Sequence, residues 1–126
     1  MYTQNLVKGA PILVTQKNIS NGYAKAVICN SGNANTCNAD GVEKAEAMCE
    51  LTAKALGIDA QDVVVASTGV IGQVLPLEPI AAGIPELVKV LSPEGSLGAA
   101  TAIMTTDTVA KEAAAELELD GKTVRV

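Results

Sequence analysis

The sequence predicts an α/β (α+β) fold, and three observations predict it. Short β-branched runs, Ala24-Lys25-Ala26-Val27-Ile28-Cys29 and Val63-Val64-Val65-Ala66, each stop at a small, polar, glycine-containing segment. A long amphipathic helical stretch separates them, opening at Asp40. Near the C-terminus, Leu117, Leu119, Val124 and Val126 alternate around Asp120-Gly121, a strong hairpin signal. Strand, helix, strand, helix and hairpin in succession place the chain in this class. Its 126 residues suit one domain and are 48% hydrophobic, with no Phe or Trp. The core must therefore be Ala, Val, Ile and Leu, which favours close packing of helix on sheet over aromatic layers.

Taken in order, Pro11-Ile12-Leu13-Val14-Thr15-Gln16 is partly β-branched, opens with Pro and reads as a first strand. Ser20-Asn21-Gly22 is turn chemistry, because Asn and Gly accept positive φ. Ala24–Cys29 is a second strand, expected to pair with the first. It leads into Asn30-Ser31-Gly32-Asn33-Ala34-Asn35, six residues too small and polar for a core. Asp40 with Glu43 has the form of a capping box, and Val42, Ala45, Met48, Cys49, Thr52, Ala55 and Leu56 recur at helical spacing. Glu50–Lys54 is a favourable i,i+4 pair on the opposite side, and Gly57 supplies the stop.

The strand Val63–Ala66 runs into a polar loop, Ser67-Thr68-Gly69-Val70-Ile71-Gly72. A second helical region, Leu77 to about Leu91, carries Pro79, tolerable in a first turn, and Pro85, expected to kink or break it. Ser92-Pro93-Glu94-Gly95 is a turn, and Leu97–Met104 is a short helix leading into Thr105-Thr106-Asp107-Thr108. Ala115–Leu119 and Thr123–Val126 form the closing hairpin. No internal repeat or low-complexity linker interrupts the chain.

Composition excludes several functions. A formal charge of −5 and the lack of aromatic stacking platforms argue against nucleic acid. The chain has no His, and its three Cys show no C-x-x-C spacing. It therefore offers no zinc site, no Cys–His pair and no Ser–His–Asp triad. Cys29, in an apolar run, and Cys49, on a helix, read as inert buried thiols. No apolar stretch approaches the roughly 18–20 residues of a membrane span, and a reducing cytoplasm is the expected location.

Chemistry is expected where apolar elements end in polar clusters: Asn30–Asn35, Ser67–Gly72 and Met104–Thr108. Glycine lets neighbouring amides converge, and the Thr68 hydroxyl adds a donor, a combination that can hold an oxyanion or a phosphate. Asp107 is the only charge in the three clusters. A neutral, donor-rich pocket suits a transient oxyanion better than a permanent dianion, which attracts Lys or Arg. The alternatives are a non-enzymatic anion-binding module, with Ser67–Gly72 at a helix N-terminus, and a structural partner chain that completes a heteromer.

Asn30-Ser31-Gly32-Asn33-Ala34-Asn35, Ala66-Ser67-Thr68-Gly69-Val70-Ile71-Gly72 and Ala102-Ile103-Met104-Thr105-Thr106-Asp107-Thr108 together resemble the ornithine acetyltransferase family, the bifunctional glutamate N-acetyltransferases of arginine biosynthesis. Leu75-Pro76 and Gly83-Ile84 also match, so the likeness runs from about Leu6 to Val126. The resemblance implies a partial αββα sandwich and a cofactor-free ping-pong transfer of acetyl from N-acetylornithine to glutamate, with acetyl-CoA as a further candidate donor. The acetyl group rests on a threonine that becomes the N-terminus of a second, β chain when the precursor cleaves itself. The resemblance matches Thr68 and Gly69 to the oxyanion hole, and Thr105 or Thr106 to a substrate contact. It also implies an α2β2 assembly.

One part of the family pattern is missing. The nucleophilic threonine stands in an Ala-Thr-Met-Leu-like run after a Lys-Gly-rich segment, and nothing here matches that. Ala100-Thr101-Ala102 lacks the preceding Lys-Gly segment and comes before Met104-Thr105-Thr106-Asp107, so Thr101 is not the nucleophile. The resemblance thus makes residues 1–126 one partial domain of the α chain, without the family's opening segment and its self-cleavage region. Two expectations follow: the chain alone transfers no acetyl groups, and it folds poorly without its partner strands.

Overall fold

The computed structural model describes residues 2–126 and bears out the α/β class, though it reassigns the first element. Ala10–Asn18 is a helix, α1, where a strand was expected. Pro11 occupies the first helical turn, where its missing N–H costs nothing. The buried positions are Ala10, Pro11, Val14, Thr15 and Asn18, which recur with helical period. Two of those five are polar, so the apolar pattern alone concealed the period. The expected turn follows as a single 3-10 turn, Ile19–Asn21, closed by Gly22 at φ 77°.

Strand β1 (Ala26–Asn33) therefore has no strand before it to pair with. It pairs in parallel with β2 (Val63–Val70), from Ala26↔Val63 to Asn33↔Val70. The crossover is α2 (Gly41–Leu56), ended by Gly57 at φ 68°. Asp40 stands at the N-cap, but its side chain accepts no cap hydrogen bond, so the expected capping box does not form. Its carboxylate lies 4.0 Å from Lys44 instead. Glu50–Lys54 forms no ion pair among the described residues, whereas Glu46 pairs with Lys17 of α1 at 2.9 Å. The buried stripe of α2 is Gly41, Ala45, Met48, Cys49, Thr52 and Ala53, rotated slightly from the predicted one, which had Val42, Ala55 and Leu56 where the structure buries Gly41 and Ala53.

Helix α3 (Glu78–Val90) runs unbroken through Pro85. Pro85 is exposed while its neighbour Ile84 is buried in the core. Burying Ile84 contributes about 1.5–3 kcal/mol against the roughly 3 kcal/mol cost of an interior proline, so packing offsets much of the expected break. Helix α4 (Ser96–Ala102) and the hairpin of β3 (Glu116–Leu119) and β4 (Lys122–Arg125) complete the chain, with the turn at Asp120-Gly121 as expected.

The core lies where α1, α2 and α3 meet the first half of the parallel ladder: Val14, Ile28, Ala45, Met48, Cys49, Ala53, Val63, Val65, Leu75 and Ile84. Helix α1 also closes the edge of β2 that faces away from β1. The Val65 N–H donates to Thr15 Oγ1 at 3.0 Å, and that hydroxyl donates to the Val65 carbonyl at 2.7 Å. Asn18 Nδ2 donates to the Val63 carbonyl at 2.9 Å. Side chains of a helix thus take the place of a third strand along that edge of β2.

Candidate active site

The ladder changes character halfway along. Its second half pairs Asn30 with Ser67, Ser31 with Thr68, Gly32 with Gly69 and Asn33 with Val70, so two of the three polar clusters form one surface. Both clusters were expected to be loops after short strands, and both are strand as far as Asn33 and Val70. The reason is that each cluster supplies the other's backbone partners, so hydrogen bonding outweighs the low strand propensity of Asn, Ser and Gly.

Gly32 and Gly69 face each other at φ 115° and 130°, a conformation reserved for glycine. A Cβ on Gly69 would lie 2.2 Å from the Gly32 carbonyl carbon and 2.6 Å from Asn33 N. These two backbones approach as closely as the absence of side chains allows. The approach continues past the strands, with Ala34 N–H donating to the Val70 carbonyl at 2.9 Å and Gly72 N–H to the Thr36 carbonyl at 3.0 Å.

Thr68 and Gly69 are both exposed, and among the described residues no side chain bonds either one. Val63 and Val65 turn their peptide groups to the edge covered by α1. Farther along β2, where Ser67 and Gly69 follow at the same alternation, neither Thr15 nor Asn18 reaches. Ser67 Oγ is buried without a hydrogen-bond partner among the described residues. The strand end therefore presents a hydroxyl and backbone donors, with no charged side chain in the segment.

The third cluster is tied to the first through one hydrogen bond, Ser31 Oγ donating to the Ile103 carbonyl at 2.8 Å. Ser31 is the ladder partner of Thr68, so this bond holds the start of Met104–Thr108 beside the candidate donors. Thr105 and Thr106 are exposed, and neither side chain has a described hydrogen bond. Asp107 accepts from Lys111 and from the Thr105 backbone, which hold its carboxyl below the usual range. The Thr101 hydroxyl donates to the Leu97 carbonyl at 2.8 Å, the ordinary state of a helical threonine. Ser31 and Ile103 also line an apolar groove of about 1130 Å³ between β1, α3 and α4, where Lys25 is the only charged lining residue among the described residues. Asp62 holds that ammonium at 2.7 Å and raises its pKa.

Neither Cys49 nor Cys29 is set up as a nucleophile. Burial pushes Cys49 up to about 11, so it is a neutral thiol, set between Asn18 and the Val63 carbonyl. Cys29 is exposed rather than buried as expected, yet apolar surroundings still raise its pKa. Among the described residues no group of three His, Cys, Asp or Glu could hold a metal ion, and no helix is long and apolar enough to cross a membrane.

Sequence reasoning missed Asn38, whose Nδ2 donates to the Gln73 carbonyl at 2.7 Å, and it placed Asn33 and Asn35 in a candidate polar cluster without naming a contact for either. The available signal was density: four asparagines between positions 30 and 38 exceed what a turn requires.

An α/β chain with a neutral, glycine-built donor surface at the end of a parallel strand pair is the class that fold and site define. A family model described as the ArgJ family matches residues 1–126, and the chain belongs to that family. It is 50% identical over 127 residues to the arginine biosynthesis bifunctional protein ArgJ of Symbiobacterium thermophilum, covering 100% of this chain and 32% of that relative. It is 46% identical to ArgJ 1 of Clostridium acetobutylicum, over 99% of this chain and 31% of the relative. The chain thus spans about a third of the length of the curated relatives it matches. The crystal structure of ArgJ from Bacillus halodurans superposes with a TM-score of 0.85 at 41% identity, covering 99% of this chain and 66% of that one. Ornithine acetyltransferase from Mycobacterium tuberculosis, solved in complex with ornithine, gives 0.82 at 41% identity, covering 86% and 60%.

Proposed function

We propose that this chain is the part of a glutamate N-acetyltransferase/ornithine acetyltransferase that supplies the oxyanion hole and part of the substrate site. The observation that carries the reading is the Thr68–Gly69 strand end: two neighbouring donors, exposed, uncharged, and free of internal side-chain partners. Acyl transfer passes through a tetrahedral intermediate whose carbonyl oxygen becomes an oxyanion. The Thr68 hydroxyl and the Gly69 N–H stabilise that charge, and because they are fixed beforehand the transition state requires little reorganisation. Thr105 or Thr106, held nearby through Ser31 and Ile103, contacts the amino-acid substrate.

The nucleophile is a threonine on the β chain of the same precursor, with its own α-amine as base. Acetyl moves from N-acetylornithine to that hydroxyl, ornithine leaves, and glutamate then takes the acetyl group in a ping-pong sequence that needs no cofactor or metal. Acetyl-CoA could serve the same acyl-enzyme as donor. The working enzyme is an α2β2 assembly in the cytoplasm. The phosphate-binding alternative is weaker. The helix after the Ser67–Gly72 segment begins only at Glu78, whose carboxylate repels an anion, and the cations on either side in sequence are Lys54 and Lys89.

The test is acetyl transfer from N-acetylornithine to glutamate, with this chain alone and after assembly with the remainder of its enzyme. The expected result is silence alone, activity on assembly, and a loss of about 10²–10³-fold in kcat with Thr68→Ala. An assembled complex that stays silent, or full kcat in Thr68→Ala, overturns the reading.

A further inference from the structure

The asparagines at the exit of β1 hold the segment that follows the candidate donors. Three carbonyls of residues 70–74 turn toward residues 33–38. The Val70 carbonyl accepts from Ala34 N–H at 2.9 Å. The Gln73 carbonyl accepts from Asn38 Nδ2 at 2.7 Å and from Asn33 Nδ2 at 3.1 Å, and the Val74 carbonyl from Asn33 Nδ2 at 3.3 Å. A trans peptide is planar, so pinning a carbonyl also pins the next residue's N–H on the opposite side. The segment leaving Gly69 is thereby fixed in orientation on one flank, while β1 fixes the strand before it.

Asn33 is itself immobilised. Its Oδ1 accepts from Asn35 N–H at 2.8 Å, and its backbone carbonyl accepts from Asn30 Nδ2 at 2.8 Å. Asn35 is fully buried at φ 47°, donates through Nδ2 to the Gly41 carbonyl at 2.8 Å, and accepts through its own carbonyl from Ala10 N–H at 3.1 Å. An unbroken chain of amides therefore runs from the starts of α1 and α2 to the 70–74 segment. Every member is neutral. A Lys or Arg in the same place would hold the carbonyls as firmly but would stabilise a ground-state carboxylate beside the donors.

We infer that Asn33 is a positioning residue: it holds the Gly69–Val74 backbone in the orientation that aims the Thr68 and Gly69 donors, with Asn38 as a second clamp on the same carbonyl. The inference rests on the oxyanion-hole reading above. Asn33→Asp keeps the shape of the side chain but replaces both N–H donors with an acceptor facing two carbonyls.

The experiment measures acetyl transfer by the assembled enzyme. Asn33→Asp is expected to lower kcat about 10- to 100-fold, as small misplacements of catalytic groups do, with KM for N-acetylornithine and Tm nearly unchanged. Asn38→Ala gives a smaller loss in the same direction. The double variant Thr68→Ala/Asn33→Asp loses less than the product of the two single losses, because both changes act on one feature. Multiplicative losses, a fall in Tm and active fraction with normal kcat per acetylated site, or normal kcat in Asn33→Asp would each overturn the inference. If Asn33→Asp fails to assemble, Asn38→Ala decides: reduced kcat at constant KM supports the inference, and full kcat overturns it. Full kcat in Thr68→Ala would instead sink the oxyanion-hole reading itself, so the two failures are distinguishable.

Discussion

The two halves of one eight-residue ladder are built on opposite principles. From Ala26↔Val63 to Ile28↔Val65 the pairs are apolar, and the core is centred there, with Ile28, Val63 and Val65 buried. Three helices pack around that half, and the free edge of β2 is closed by Thr15 and Asn18. From Asn30↔Ser67 to Asn33↔Val70 the residues are small or polar except Val70, Thr68 and Gly69 are exposed, and the two glycines carry left-handed backbone. Ordinary burial stabilises the first half. The second half is half-buried at most, and backbone pairing together with amide side chains holds its shape. A strand pair can thus anchor rigidly at one end and present donors at the other, because parallel pairing carries the rigidity along the backbone.

The largest effect expected in this comparison is at Gly69. In Gly69→Ala the new methyl would overlap the Gly32 carbonyl, and φ 130° is strained for alanine. We expect a cost on the order of 3 kcal/mol or more, with acetyl transfer abolished, read by thermal melting and assay of the assembled enzyme. Melting within a degree or two of the parent would show that the two strands can separate freely here.

Next comes the buried half. Met48 is wholly buried, so Met48→Ala should cost about 2–5 kcal/mol while kcat per folded enzyme stays the same. A fall in kcat of more than a few-fold would mean that the two halves are coupled, against the division drawn above. Thr15→Val is subtler. It retains the volume but strips the Val65 N–H and C=O of their partner, costing about 1–3 kcal/mol by chemical denaturation. No change at all would show that water or another group serves that edge.

The smallest effect concerns Asp107. Lys111 and the Thr105 backbone lower its pKa from 3.8. A group depressed on folding contributes stability above its unfolded pKa and loses it as pH falls through the folded value, so the contact is lost only below pH 3.8. Lys111→Met should bring the Asp107 titration, followed by NMR, back toward 3.8. An unmoved titration would leave Lys111 without influence on Met104–Thr108.

Much of this fold can be read from local residues. The body of α2, its stop at Gly57 and the Asp120-Gly121 hairpin rest on spacing and on residues that accept positive φ, and each formed where the pattern put it. Pro11–Gln16 went wrong because Thr15 and Asn18 belong to the buried face, where they bond backbone of β2. Pro85 went wrong because the burial of its neighbour Ile84 offsets much of the cost of the lost helical bond. Thr68, Gly69, Thr105 and Thr106 were singled out from motif resemblance, and the structure sets the first pair on a strand edge and ties the approach to the second through Ser31. The clamp of Asn33 and Asn38 on Gln73 was not legible at all, since nothing near those asparagines in sequence names their acceptors.

What the sequence by itself determined was therefore local: which segments turn, where the long helix lies, and that three polar clusters carry almost no charge. Only the tertiary structure decided that Ala26–Asn33 pairs with Val63–Val70, that two supposed loops are one ladder, and that helix α1 replaces a third strand. The physical reason is that backbone N–H and C=O groups are the same in every residue but proline. The side chains of a segment record how it turns and which face it buries, whereas its distant backbone partner is chosen by the packing of the whole.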